Sequence, residues 1–187
     1  MPNSPTIPHQ SYNKFNQDRS SCLNLSNQLR IIAKMTINLL LRDKLEMANK
    51  NLMPMAKLFG DIQAKIKKNP HLYSVAGINE GIEEYIEAVL LLEYIDNQPL
   101  SSLDKFKIMP EVYLGGLSDM TGELVRLARK HNKQAKTIHD YIAKIYDSLI
   151  PVSITRNSQV RAKLETVGNN LKKLEDIIYD LKLRDKI

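Results

Sequence analysis

Tryptophan is absent from this chain, and cysteine occurs once, at Cys22. A single cysteine excludes an intrachain disulfide, and with it the disulfide scaffolds of small secreted domains. The four histidines, His9, His71, His131 and His139, show no zinc-ligand spacing with Cys22 or with one another. No apolar run approaches the ~20 residues that a membrane span requires. The N-terminus carries no basic-then-apolar leader pattern, so a cytoplasmic location is expected. Aromatic residues make up only 6% of the chain. No segment alternates polar and apolar residues as a half-buried strand does, and the abundance of Leu, Ile, Lys and Glu favours helix. The net charge of +6, with 27 basic against 21 acidic residues, is a mild bias toward anionic partners. It falls short of a nucleic-acid-binding composition by itself.

The 187 residues suffice for one domain with its own core. Residues 1–19 hold Pro2, Pro5 and Pro8 among polar residues without an apolar period, and read as a disordered tail. The helical domain is expected over 20–187, and the remaining prolines punctuate it. Leu25, Leu29, Ile32, Thr36 and Leu39 follow alternating four- and three-residue steps, predicting a first helix over about Ser20–Lys50. Proline suits the first turn of a helix and breaks its interior. Pro54 therefore opens a second helix, to Lys68, and Pro70 ends it. A third helix is predicted over Gly77–Ile95, a fourth from Pro110 to His131, a fifth over Lys136–Leu149 and a sixth from Asn157 or Ser158 to about Lys182. In the last, Val160, Leu164, Val167, Leu171, Leu174, Ile178 and Leu181 form an unbroken coiled-coil-like seam. The fold class is all-α, an elongated bundle of about six or seven helices.

Two carboxylate pairs stand at helical spacing, Glu84-x-x-Glu87 and Asp119-x-x-x-Glu123. Residues three or four apart project from one side of a helix, so each pair can offer its oxygens to one point. If the two helices lie side by side, four like charges meet, and either a cation neutralises them or some protonate. Oxygen-only ligands suit Mg²⁺ or Mn²⁺. Di-iron bundles use Glu-x-x-His pairs, which are missing. Periodicity alone points elsewhere: both pairs lie opposite the apolar stripes of Ile78, Ile82, Tyr85, Ile86 and Val89 and of Tyr113, Leu117, Met120, Leu124 and Ala128, as solvated outer faces do. Against that, Ala88 and Leu91 lie beside the glutamates, and Gly115, Gly116 and Gly122 flank Asp119. Interior glycines cost a helix up to ~1 kcal/mol each and are tolerated where a second helix or a substrate comes close. Just beyond, Arg126, Arg129, Lys130, His131, Lys133 and Lys136 form a basic cluster. Arg126, Arg129, Lys130 and Lys133 are candidates to hold nucleic-acid phosphates, or else to complement a helix C-terminus.

The stretch Tyr113–Arg126, YLGGLSDMTGELVR, resembles the signature of the translin/Trax family, most closely its catalytic Trax branch. Asp119 and Glu123 fall on that branch's second acidic pair. Glu84-Tyr85-Ile86-Glu87-Ala88-Val89 is similar to the segment that carries the first pair. Tyr146-Asp147 and the run from Lys163 through Leu174-Glu175 to Arg184 resemble the last helix and its approach. The likeness runs from about Ser20 to the C-terminus and is loose in the first two helices.

This resemblance implies an all-α subunit of a hollow octamer, with acidic sites facing the interior, that cleaves single-stranded or partly paired RNA in a metal-dependent reaction. Glu84, Glu87, Asp119 and Glu123 would then be both catalytic residues and ligands for Mg²⁺ or Mn²⁺. All four acids are kept, as in the catalytic branch, while the connection Asp96–Met109 is short, as expected of a compact prokaryotic-type homologue. Such a chain would form a homo-oligomer or pair with a translin-like partner. Two other readings stand beside it: a non-catalytic oligomer that binds RNA or single-stranded DNA, and an all-α nucleoside triphosphate pyrophosphohydrolase of the MazG type. The latter shares Glu83-Glu84-x-x-Glu87 but needs Glu-x-x-Asp where this chain has Asp-x-x-x-Glu.

Overall fold

The computed structural model describes residues 9–154 and 158–184. Six long helices carry the fold: α1 (His9–Leu41), α3 (Leu52–Lys68), α4 (Ala76–Ile95), α6 (Pro110–Lys130), α7 (Ala135–Leu149) and α8 (Ser158–Leu183). Two short ones, α2 (Leu45–Asn49) and α5 (Leu103–Phe106), sit in the connections. There is no strand among the described residues, and none of their helices is long and apolar enough to cross a membrane.

Several boundaries differ from the sequence expectation. The segment read as a tail is helical from His9 onward, and residues 1–8 lie outside the described residues. Phe15 packs against the core, and Asn69 donates to Asp18 at 3.5 Å, so this polar stretch is held by α3 and its neighbours without an apolar period of its own. The first helix stops at Leu41, where Asp43 turns the chain at φ 59° before α2 begins. Its buried stripe is Cys22, Ser26, Leu29, Ala33, Thr36, Ile37 and Leu40, which contains Leu29 and Thr36 of the expected series while Leu25, Ile32 and Leu39 are only half-buried. The cause is a close helix crossing. A Cβ on Gly81 of α4 would lie 2.6 Å from the Ser26 carbonyl oxygen, and Ser26 Oγ donates to the Gly77 carbonyl at 2.8 Å.

The packing order runs α3, α1, α4, α6, α8, with α7 lying against α6 and α8. Helix α4 is therefore covered on both flanks, and its residues from Tyr85 to Leu92 are buried without interruption. One end of its core is an aromatic group in which Phe59 stacks on Tyr85 at 4.7 Å and Phe106 meets both rings edge-on. Ser118 of α6 donates to the Lys163 carbonyl at 3.2 Å, and Asn170 donates to Thr121 Oγ1 at 2.9 Å. These bonds set α6 and α8 running in the same direction, with α7 returning between them.

Candidate functional site

The four acids meet where α4 and α6 cross. Two glycines permit the crossing. A Cβ on Gly116 would come within 2.7 Å of the Glu83 carbonyl oxygen and of Ile86, and one on Gly115 within 2.5 Å of the Glu83 carboxyl group. Both glycines are helix–helix contacts. Gly122 is different: its nearest neighbour would be Asn170, at 3.5 Å.

The acids do not form solvated outer faces. Glu87 is 8% exposed, and the side chains of Glu84 and Glu123 are 23% and 17% exposed; Asp119 is the most open at 43%. Helical periodicity misplaces them because α4 is an inner helix, with α1 on one flank and α6 on the other, and its polar side faces protein as well.

Glu87 makes no hydrogen bond or ion pair among the described residues, and its carboxyl is pushed up to about 8. Burial is the main cause, followed by repulsion from Glu84, Asp119 and Glu123, with Lys34 opposing. These repulsions put Glu84, Asp119 and Glu123 within electrostatic range of Glu87. The other three acids each face a cation. Lys34 of α1 lies 2.9 Å from Glu84, and Arg126 donates to both oxygens of Glu123 at 2.9 and 2.8 Å. Lys163 of α8 lies 3.6 Å from Asp119 and 3.4 Å from Glu83. With the acids turned to these cations, no three His, Cys, Asp or Glu side chains among the described residues stand close enough together to hold a metal ion. The donor set nevertheless fits a hard divalent cation: it offers only carboxylate oxygens, and one of them is buried, without a partner and repelled by the rest.

The basic cluster after α6 divides. Arg126 is taken up with Glu123, and Lys130 with the α1–α2 turn, where its Nζ lies 2.6 Å from Asp43 and donates to the Leu41 carbonyl at 2.7 Å. His131 also pairs with Asp43 at 3.0 Å. Lys130 and then His131 hold the Asp43 carboxyl below its usual range. The expectation that Lys130 holds phosphate thus meets a residue already engaged in locking a left-handed turn. Arg129 and Lys133 are exposed and make no ion pair among the described residues.

Sequence reasoning overlooked Lys34 and Lys163, and it used Glu83 only for a competing motif. None of the three carries a local signal, because each becomes part of the site only through the packing of α1 or α8 on its neighbours. The threonine of the Thr-Gly-Glu stretch has a definite place: Thr121 Oγ1 donates to the Ser118 carbonyl at 2.6 Å and accepts from buried Asn170.

Comparison with known proteins bears on the fold and the family. Translin-associated protein X from Pongo abelii is 26% identical, with 68% of this chain and 57% of that protein covered. The Rattus norvegicus protein of the same name is also 26% identical, over 57% of this chain and 50% of its own length. The chain thus spans little more than half the length of these curated relatives. The crystal structure of apo-NeC3PO superposes with a TM-score of 0.83 at 24% identity, covering 94% of this chain and 98% of that one. The AfC3PO–duplex RNA complex superposes at 0.81 and 20% identity, with 94% and 95% covered, and at these identities the likeness is one of fold. The Translin family model matches residues 17–185, nearly the entire chain, and the protein therefore belongs to the Translin family.

Proposed function

We propose that this protein is a metal-dependent endoribonuclease that hydrolyses single-stranded or partly paired RNA inside a homo-oligomer, with Glu84, Glu87, Asp119 and Glu123 as its site. The observation that carries the reading is Glu87, a residue only 8% exposed on α4 that makes no hydrogen bond or ion pair among the described residues and is repelled by three more acids. Leaving such a group uncompensated is costly, and proteins keep that arrangement chiefly where chemistry needs it. The AfC3PO structure, solved in complex with duplex RNA, supports RNA as the ligand class.

The four carboxylates would hold Mg²⁺ or Mn²⁺. When bound, the cation supplies Lewis-acid stabilisation of the charge that builds on the phosphoryl oxygens and a water of lowered pKa. The protein's own groups do the rest. Glu87 would give up its proton when the site is filled, and a second carboxylate would take a proton from the attacking water as the new P–O bond forms; the ester P–O bond breaks and the leaving oxygen takes up a proton from that carboxylic acid or from water. Arg126 keeps Glu123 oriented through both of its oxygens. Assembly as an octamer, alone or with a translin-like subunit, belongs to the same proposal.

A second reading, a non-catalytic oligomer that binds RNA or single-stranded DNA, draws support from the three acids that already face cations within the chain. Cleavage of end-labelled RNA with Mg²⁺, Mn²⁺ or EDTA decides between them. The ribonuclease cuts only with metal, and Glu123→Ala loses at least ~100-fold, on the scale of removing one group that stabilises a transition state. RNA retained in a gel shift without cutting selects the binding reading.

A further inference from the structure

Three internal cations face the acidic site, and one of them differs from the other two. Lys34 and Arg126 are more than 60% exposed, and each serves one carboxylate. Lys163 is 31% exposed and is shared between Glu83 of α4 and Asp119 of α6, although it stands on a third helix. Its backbone is tied to α6 by Ser118. Its partner Glu83 sits in the gap that Gly115 leaves at the crossing, a seat that any Cβ there would close. Beside this pair opens a cleft of about 580 Å³ at the start of α4, α6 and α8, with Tyr73 and Val112 on its apolar side and three carboxylates, Glu80, Glu83 and Glu111, against a single cation among its lining residues, Lys163. A cleft of this size accepts a mononucleotide unit, one end of it next to the ammonium group and so next to the acids.

We propose that Lys163, seated by Glu83, is the phosphate anchor of the site, and that the cleft beside it receives the nucleotide adjoining the bond to be cut. The proposal rests on the ribonuclease reading for its substrate class. Lys163 is a binding residue here, and Glu83 a positioning residue that acts through it. Glu83 holds the ammonium group at the edge of the cleft, where it faces the phosphate whether or not a cation occupies the site.

The experiment is fluorescence anisotropy with a labelled short single-stranded RNA in EDTA, run as a salt series, beside cleavage in Mn²⁺. Lys163→Gln is expected to bind at least ~10-fold more weakly, the scale of one lost charge-assisted hydrogen bond, and to flatten the salt slope by about 0.7, the value for one phosphate contact on a single strand. Lys163→Arg restores both. Glu83→Gln, with the lysine intact, weakens binding less and leaves the salt slope unchanged. Met109→Trp, at the exposed rim, fills the cleft without touching the ion pair and weakens binding several-fold, which covers the case of a Lys163→Gln variant that does not fold. Wild-type affinity and salt slope in folded Lys163→Gln overturn the anchor, leaving Lys163 a tie between helices; unchanged binding by Met109→Trp overturns the cleft. Wild-type protein that does not bind RNA in EDTA overturns both. Protein that binds RNA and never cuts it removes the ribonuclease reading while the anchor stands or falls on the binding data alone.

Discussion

A carboxyl group walled in beside three others keeps its proton well above the ordinary range, and at Glu87 the value reaches about 8. Folding stability must follow. Between the ordinary value of 4.5 and about 8, the native state holds a proton that the unfolded chain has released. The free energy of unfolding therefore falls as pH rises through that window. In EDTA, Glu87→Gln is expected to remove this decline. Urea unfolding at pH 5 finds the variant no more stable than the parent, and at pH 8 finds it ahead by about 2–4 kcal/mol. Parallel pH dependences for the two proteins would mean that Glu87 titrates normally. The buried Asn170–Thr121 bond supports a second expectation. Thr121→Val strands the Asn170 amide and costs about 1–3 kcal/mol in the same assay. The acids themselves were legible, since three- and four-residue spacing fixes a common side of a helix. Glu83, Lys34 and Lys163 were not, because nothing in the sequence around them says which helices will meet.

Helices announce their ends through proline, and Pro54, Pro70, Pro110 and Pro151 stand at or near four of the junctions found in the structure. The break at Leu41 had no such marker. It depends on Asp43 holding a positive φ with the help of Lys130 and His131, residues nearly ninety positions away. The stripe of α1 was misjudged in part for a related reason: Ser26 and Gly81 allow two helices to approach so closely that Cys22, Ser26 and Ala33 join Leu29 and Thr36 in the buried stripe, while Leu25, Ile32 and Leu39 stay half-buried. Two alanine substitutions separate helix propensity from packing. Gly60 on α3 has open space around it, so Gly60→Ala gains stability by about 0.5–1 kcal/mol from propensity alone. Gly116→Ala makes the same local gain but drives a methyl group into the Glu83 carbonyl and Ile86, for a net loss of about 1–3 kcal/mol. Thermal unfolding of both variants checks the pair, and a stabilised Gly116→Ala would mean that α4 and α6 are farther apart than described.

Large apolar side chains stand exposed on two helices of the molecule. Ile31 and Met35, one turn apart on α1, are 60% and 57% exposed, and Met53 on α3 is 83% exposed. Such apolar groups on an elongated bundle fit burial against another subunit. Light scattering should find the protein above its subunit mass of 21.4 kDa, and Ile31→Glu with Met35→Glu should shift it to smaller species without loss of helix content. The same protein, dialysed against chelator, serves for titration with Mn²⁺ by calorimetry at pH 6 and pH 8. If the acids of α4 and α6 form one cation site, Mn²⁺ binds more tightly at pH 8 and releases protons at pH 6, because the proton on Glu87 competes with it. Glu123→Gln then weakens binding at least ~10-fold, the scale of one lost charged ligand, and Glu87→Gln abolishes the proton release. Mn²⁺ binding that is absent, or that is the same in both variants as in the parent, would contradict the account.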